Sequence, residues 1–269
     1  MLGHVVARYL KETDHKISTI DERYDYFQSS VFLDIVSKTY PDAIINCIGL
    51  IKQKININGT NIHNIYKLLS INSIFPLQLS IKFPKTIIIH PSTDCVFSGK
   101  KGNYLIDDLP DTNDIYGVSK SLGEIISRYP FTYVIRTSII GPELGNNKGN
   151  NKGFGLLEWF LSQDNAVDGY TNHKWNGVTT LEWSKCALEI LSMVQIKDAP
   201  QSKIIQMGTS KVHSKSEILH MISDIWKHDI KIIDTQTEIS IDRSLKPTWI
   251  RKPLLEQLKE LHKWYYANN

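Results

Sequence analysis

An α/β fold, a doubly wound parallel sheet with a smaller carboxyl-terminal part, is predicted by three features of the sequence. Short β-branched runs alternate with helical patterns along the first half of the chain. Those runs are apolar throughout rather than alternating, as strands covered on both faces are. Glycines, hydroxyls and a Tyr–Lys pair follow where the runs end, and in such a fold the ligand lies at the carboxyl ends of the strands.

The elements follow in order. Leu2, Val5, Val6, Tyr9 and Leu10 recur at helical spacing, so the chain opens with a helix. A strand is expected at 16–21 (KISTID), a helix at 29–39, a strand at 43–48 (AIINCI) and a long helix at 62–81. A strand at 86–90 (TIIIH), a helix at 116–128 and a strand at 133–137 (YVIRT) complete the alternation. The polar tandem GNNKGNNKG at 145–153 reads as a loop and places a boundary near residue 150. Beyond it, helices are expected at 154–161, 180–194, 214–226 and 254–264, with one strand at 203–207 (KIIQM). Residues 1–150 and 151–269 are thus read as two units, with helix 180–194 and strand 203–207 returning to the first. The last helix is apolar on one face and packs back on the sheet or against a second copy in a homodimer; packing within the chain is the expectation.

Composition narrows the function classes. With 41% hydrophobic and 22% charged residues the 269-residue chain is in the globular range. A net charge of +3 is too small and dispersed for a nucleic-acid surface. Cys47, Cys95 and Cys186 are odd in number and widely spaced, which indicates neither a disulfide framework nor a metal site and suits a reducing, cytoplasmic compartment. No run approaches the roughly 18 apolar residues of a membrane span.

Three segments fall at the expected carboxyl edge: Asn46-Cys47-Ile48-Gly49, Ser92-Thr93-Asp94-Cys95-Val96-Phe97-Ser98-Gly99 and Tyr116-Gly117-Val118-Ser119-Lys120. Tyr-x-x-x-Lys alone is weak, and Tyr170 with Lys174 forms a second match in a polar stretch. Singly, such a pair is a solvated helix face and Ser-Thr-Asp is a helix cap; in this order, in an α/β background, they point to chemistry. Four residues apart on a helix, Tyr116 and Lys120 share a face, so the ammonium is expected to favour the ionised phenol. The phenol can then give a proton to a carbonyl oxygen as hydride reaches the carbon, with Thr93 bonding the same oxygen.

A nucleotide-binding fold of this kind opens with an apolar strand, a glycine-rich turn and a helix whose amino end faces the pyrophosphate. Here Gly3 stands at the helix start and Asp21 about twenty residues on, where a ribose-binding acid is expected. Met1-Leu2-Gly3 reads as the end of a G-x-x-G-x-x-G turn whose strand and first two glycines are missing. A late start, a truncated product and a homologue kept for a non-redox role are the readings left open.

The segments STDCVFSG, YGVSK with Gly123-Glu124, VIRTSIIGPE, LLEWFLSQ and NGVTTLEWSK are similar, in order and spacing, to those of the extended short-chain dehydrogenase/reductases, and within them the dTDP-4-dehydrorhamnose reductase-like group. The resemblance implies a Rossmann-type cofactor domain and a smaller domain closing over a nucleotide-linked sugar. It implies Thr93, Tyr116 and Lys120 as catalytic residues, Tyr116 being the proton donor and Lys120 also holding the nicotinamide ribose. Gly3, Asp21, Arg23, Ile48, Gly49 and Asn72 would line the cofactor site; Asp21 suits NAD and Arg23 suits NADP, so either cofactor fits. Asp94, Trp175 and Asn176 would face the sugar beside Thr93. The expected activity is NAD(P)H-dependent reduction of a 4-keto-6-deoxy nucleotide sugar in deoxysugar and cell-surface polysaccharide synthesis. The alternative is a non-catalytic binding or regulatory subunit on the same fold.

Overall fold

The computed structural model describes residues 1–20, 22, 24–54, 61–144 and 154–266. Its main sheet is built from β1 (Ala43–Ile45), β2 (Ile87–Ser92) and β3 (Thr132–Arg136), joined later in the chain by β8 (Ile204–Thr209) and β12 (Trp249–Arg251). The order is β1-β2-β3-β8-β12, and every neighbouring pair is parallel.

Successive residues of a strand face opposite layers, so an all-apolar strand needs cover on both sides. Ile89 faces a core built with α1 (Leu2–Leu10) and α7 (Thr180–Gln195), where Leu2, Val6, Trp183 and Ile190 are buried. Its neighbour Ile88 faces α2 (Ser29–Ser37) and α4 (Phe75–Lys82) through Phe32, Leu33, Phe75 and Leu79. Leu2, Val5, Val6 and Leu10 are the buried residues of α1, which is the stripe that defines that helix in the sequence.

The helix expected over 62–81 is interrupted. It runs as α3 (Ile62–Leu69), a π-helical turn Ser70–Ile74, then α4. Pro76 has no N–H to offer the carbonyl of Asn72, four residues back, and a widened turn accommodates the loss. That carbonyl faces α5 (Ile115–Gly123), where a side chain on Gly123 would meet it at 2.3 Å. Glycine is therefore required for the two helices to lie this close.

The remaining short strands are β4 (Ile139–Ile140), β5 (Val167–Tyr170), β6 (His173–Trp175), β7 (Val178–Thr179), β9 (His213–Ser214), β10 (Ile232–Thr235) and β11 (Ile241–Asp242). They pair as β4 with β7, β5 with β10, and β6 between β11 and β9. With α6 (Leu156–Leu161), α8 (Lys215–Trp226) and α9 (Leu254–Tyr266) they enclose a second core containing Leu157, Phe160, Trp175, Ile218, Ile222 and Leu258. Helix α8 is closed at its start by a capping box between Ser214 and Glu217 and ends on Lys227 in the left-handed conformation. Helix α9 packs within the chain: Leu261 shares a cluster with Val5 and Leu181, and Arg8 bonds the carbonyls of Trp264 and Tyr265.

One expected strand is absent. Residues 16–20 pair with no strand, and Asp21 lies outside the described residues. The apolar pattern is used for burial instead: Ile17 packs on the α1–α7 core and Ile20 on the α2–α4 core. Extended backbone becomes a strand only with a ladder partner, and among the described residues β1 is bonded to β2 alone. The expected loop at 145–153 also lies outside the described residues.

Candidate active site

The site forms where β2 ends. Thr93 caps the short helical turn Asp94–Val96, accepting from the Cys95 N–H at 3.1 Å and donating to Asp94 Oδ1 at 3.1 Å. Helix α5 begins against this turn: the Asp114 side chain accepts from the Tyr116 N–H at 2.8 Å, which fixes the helix start. A side chain on Gly117 would meet the Cys95 carbonyl at 2.1 Å. The absence of one lets α5 pack against the Thr93 turn and brings Tyr116 beside it.

The expected coupling of Lys120 to the phenol is corrected by the geometry. Lys120 Nζ donates to the Pro91 carbonyl at 2.6 Å and lies 3.4 Å from His90 Nε2. Burial raises the Tyr116 pKa, with Cys95, Asp94 and Asp114 adding to the rise and the bond to Thr93 opposing it, so the phenol is held protonated. Burial lowers Lys120 to about 8, against the pull of Glu124, which caps the end of the same helix. The pair is therefore a protonated phenol beside a weakly basic amine, which suits a proton donor at neutral pH.

Behind the turn is a buried network. Arg136 Nε and Nη2 meet Glu124 Oε1 and Oε2 at 2.9 and 2.6 Å, Ser92 Oγ donates to Glu124 Oε1 at 2.6 Å, and Arg136 Nη1 donates to Gln206 Oε1 at 3.1 Å. This ties the end of β2 to α5, β3 and β8. A bidentate pair with its remaining positions filled holds backbone geometry more firmly than a single contact.

The residues expected at the cofactor groove divide. Gly3 stands in the first turn of α1, and a side chain there would meet Cys47 Cβ at 3.3 Å, so the amino end of this nine-residue helix sits against the carboxyl end of β1. Close helix-strand packing at an amino end that no side chain caps fits a pyrophosphate. Gly49 is exposed at the same edge, and Ile48 is partly buried. Asn72 is different. Its amide is spent on the Leu50 N–H, the Leu50 carbonyl and Ser119 Oγ, at 2.9, 2.9 and 3.0 Å, and it is fully buried. It shapes the loop after β1 from behind and does not line the groove. Asp21 and Arg23 lie outside the described residues.

The residues expected on the substrate side divide as well. Asp94 is buried beside Thr93, with its carboxyl pushed above the usual range by burial and drawn back by Arg243. The Trp175 ring belongs to the second core. Asn176 gives its amide to Thr209 and Leu245 backbone atoms at 2.8 to 3.0 Å, so it anchors the segment around Leu245 and has no polar atom left for a sugar. Tyr170 and Lys174 lie on two different strands, not on one helix face.

Two cations were not found from sequence. Lys215, at the start of α8, is held below the usual lysine range by burial and by the neighbouring Arg243, while Asp94 pulls the other way. Arg243 donates through Nε to the Phe97 carbonyl at 3.0 Å, at the end of the Thr93 turn. They stand 122 and 150 residues beyond Thr93 (215 − 93 and 243 − 93), Lys215 at the start of the helix expected over 214–226 and Arg243 in a polar stretch, so only the fold brings them to the site. Among the described residues no cluster of His, Cys, Asp or Glu could hold a metal, and no helix is long and apolar enough to cross a membrane.

The fold is shared with several solved structures. A hypothetical dTDP-4-dehydrorhamnose reductase from Sulfolobus tokodaii is 22% identical, with 94% of each chain covered and a TM-score of 0.70. The dTDP-4-dehydrorhamnose reductase of Bacillus anthracis, in complex with NADP, is 17% identical over 98% of this chain and 95% of its own, with a TM-score of 0.77. The Bordetella bronchiseptica enzyme WbmG, in complex with NAD and UDP, is 11% identical over 99% and 91%, with a TM-score of 0.73. No curated protein matches the chain significantly in sequence. The model of the RmlD substrate binding domain matches residues 1–158, more than half of the chain. With a parallel sheet and a Thr–Tyr–Lys set at its carboxyl edge, and with the fold of solved dTDP-4-dehydrorhamnose reductases, the protein belongs to the RmlD substrate binding domain family.

Proposed function

We propose that the protein is an NAD(P)H-dependent reductase of a 4-keto-6-deoxy nucleotide sugar. The observation that carries this reading is the Tyr116 phenol, held protonated by burial beside Thr93 at the carboxyl edge of the sheet. Residues 1–150 are read as the cofactor side and 151–269 as the substrate side.

The amino end of α1 with Gly3, the exposed backbone at Gly49, Ile48 and Lys120 would hold a dinucleotide, consistent with the close packing of Gly3 on Cys47. That cofactor, when bound, supplies the hydride. Tyr116 donates its proton to the keto oxygen as negative charge develops there, and the Thr93 hydroxyl bonds the same oxygen. Asp94, held by Thr93 and the Cys95 turn, orients the sugar hydroxyls. Lys215 and Arg243 carry positive charge to the edge of this site, which suits a diphosphate-linked substrate. The Bacillus anthracis and Bordetella bronchiseptica structures contain NADP and NAD respectively, so either nicotinamide form is compatible with the fold.

A second reading, a non-catalytic binding subunit, is supported by one observation: residues 16–20, beside the expected ribose site, form no strand. Titrating the purified chain with NADPH and NADH, followed by tryptophan fluorescence, and then assaying loss of nicotinamide absorbance with a dTDP-linked 4-keto-6-deoxy sugar, separates the two. Saturable binding and turnover support the reductase; binding without turnover, or no binding, supports the subunit.

A further inference from the structure

His90 lies on β2 between Asn46 and Lys120 and is almost fully buried, and no role for it follows from the reaction described above. Asn46 Oδ1 accepts from the Ile48 N–H at 3.0 Å, which leaves its NH2 facing His90 Nδ1 at 3.0 Å. Turning the amide over would set an NH2 against the Ile48 N–H, two donors face to face. The orientation of Asn46 is thereby determined by backbone, and His90 Nδ1 must accept.

An imidazole that accepts at Nδ1 carries its proton on Nε2. That N–H is directed at Lys120 Nζ, 3.4 Å away. A neutral amine meets it well: the lone pair takes the His90 proton while one N–H donates to the Pro91 carbonyl at 2.6 Å. An ammonium meets it badly, because it has three donors and no acceptor. Protonating Lys120 therefore opposes two donors or forces the imidazole to its other tautomer, which breaks the bond from Asn46.

We propose that Asn46 and His90 form a positioning pair that lowers the proton affinity of Lys120, so that the amine changes charge near neutral pH. Three other groups bear on the amine. Glu124, just past the end of α5, favours its charged form, but Arg136 from β3 holds that carboxylate in a bidentate pair, and Tyr116 on α5 is held protonated by burial. Burial depresses Lys120, and His90 is itself kept neutral by burial and by Lys120. The pair thus acts with burial, and its effect is to let Lys120 change charge near neutral pH rather than above 10. The catalytic consequence rests on the reductase reading; the protonation chemistry does not.

The test is heteronuclear NMR of the full chain without substrate. Nitrogen-15 shifts of the His90 ring report its tautomer, and the Lys120 Cε and Nζ resonances report its titration. Above the Lys120 titration, where the amine is neutral, the wild type is expected to show the Nε2–H tautomer, and the Nδ1–H tautomer or a charged ring there overturns the proposal. In Asn46→Asp the carboxylate accepts from both Ile48 N–H and an Nδ1–H, which turns an Nε2 acceptor toward Lys120; in His90→Gln the amide oxygen does the same. Each substitution is expected to raise the Lys120 titration by about one unit, a tenfold gain in proton affinity. If every variant that folds leaves the titration where it was, the proposal fails, and if neither folds the wild-type tautomer decides. Where the protein turns over keto sugars, the alkaline limb of kcat should move up with the titration. A merely structural histidine would lower kcat without moving it, and absence of turnover would count against the reductase reading while leaving the NMR result intact.

Discussion

Arg136 and Glu124 form a fully buried bidentate pair at 2.9 and 2.6 Å, one strand away from the turn that carries Thr93. Removing one partner leaves the other charge without compensation in the interior. Glu124→Ala and Arg136→Ala are each expected to cost about 3–5 kcal/mol. Chemical denaturation of the two variants and of the double variant checks this: the double variant should be less destabilised than the sum, because the second removal no longer strands a charge.

Gly117 is the point where α5 touches the Thr93 turn. A side chain there would meet the Cys95 carbonyl at 2.1 Å, against backbone that cannot move without shifting Thr93. Gly117→Ala is expected to destabilise by about 1–3 kcal/mol. It should also lower kcat by roughly a hundredfold, because Tyr116 and Thr93 would be pushed apart. Stability and steady-state kinetics on the same preparation check both.

Lys120 carries a sign that can be worked through. Its folded pKa, about 8, is below the unfolded value of 10.5, so between those limits the unfolded chain binds more protons and stability rises with pH. The cost of burying the group is fully present below about pH 8 and is gone above 10.5. Lys120→Met is therefore expected to be more stable than wild type at pH 7, by at most a few kcal/mol, and to lose the advantage as pH rises. Denaturant midpoints across that range check the slope, and the variant should have no turnover.

Lys215 and Arg243 act on charge rather than on the reacting carbonyl. Lys215→Ala is expected to raise KM for a diphosphate-linked sugar by about tenfold with kcat nearly unchanged, the mark of binding shared by ground and transition states. The same variant should show a weaker dependence of KM on ionic strength.

Part of this architecture is readable along the chain because its signals are local. The apolar runs at 87–89 and 133–135, the Thr93 turn and the four-residue spacing of Tyr116 and Lys120 each lie within a few residues. Other assignments depend on what a side chain meets after folding. Asn72 and Asn176 have the residue type expected of a ligand-binding amide, yet backbone groups from distant segments consume both. Residues 16–20 have the composition of a strand and lack a ladder partner. The two- to four-residue strands of the second core are too short to carry a period, and Lys215 and Arg243 reach the site only through tertiary structure.

The central claim is that Tyr116 is the proton donor. It is tested most directly by measuring kcat and KM of Tyr116→Phe and wild type with a dTDP-linked 4-keto-6-deoxy sugar and NADPH. The account predicts a fall in kcat of about 10²–10⁴, the usual contribution of a positioned acid, with KM and NADPH affinity little changed. Equal turnover by the phenylalanine variant would contradict it.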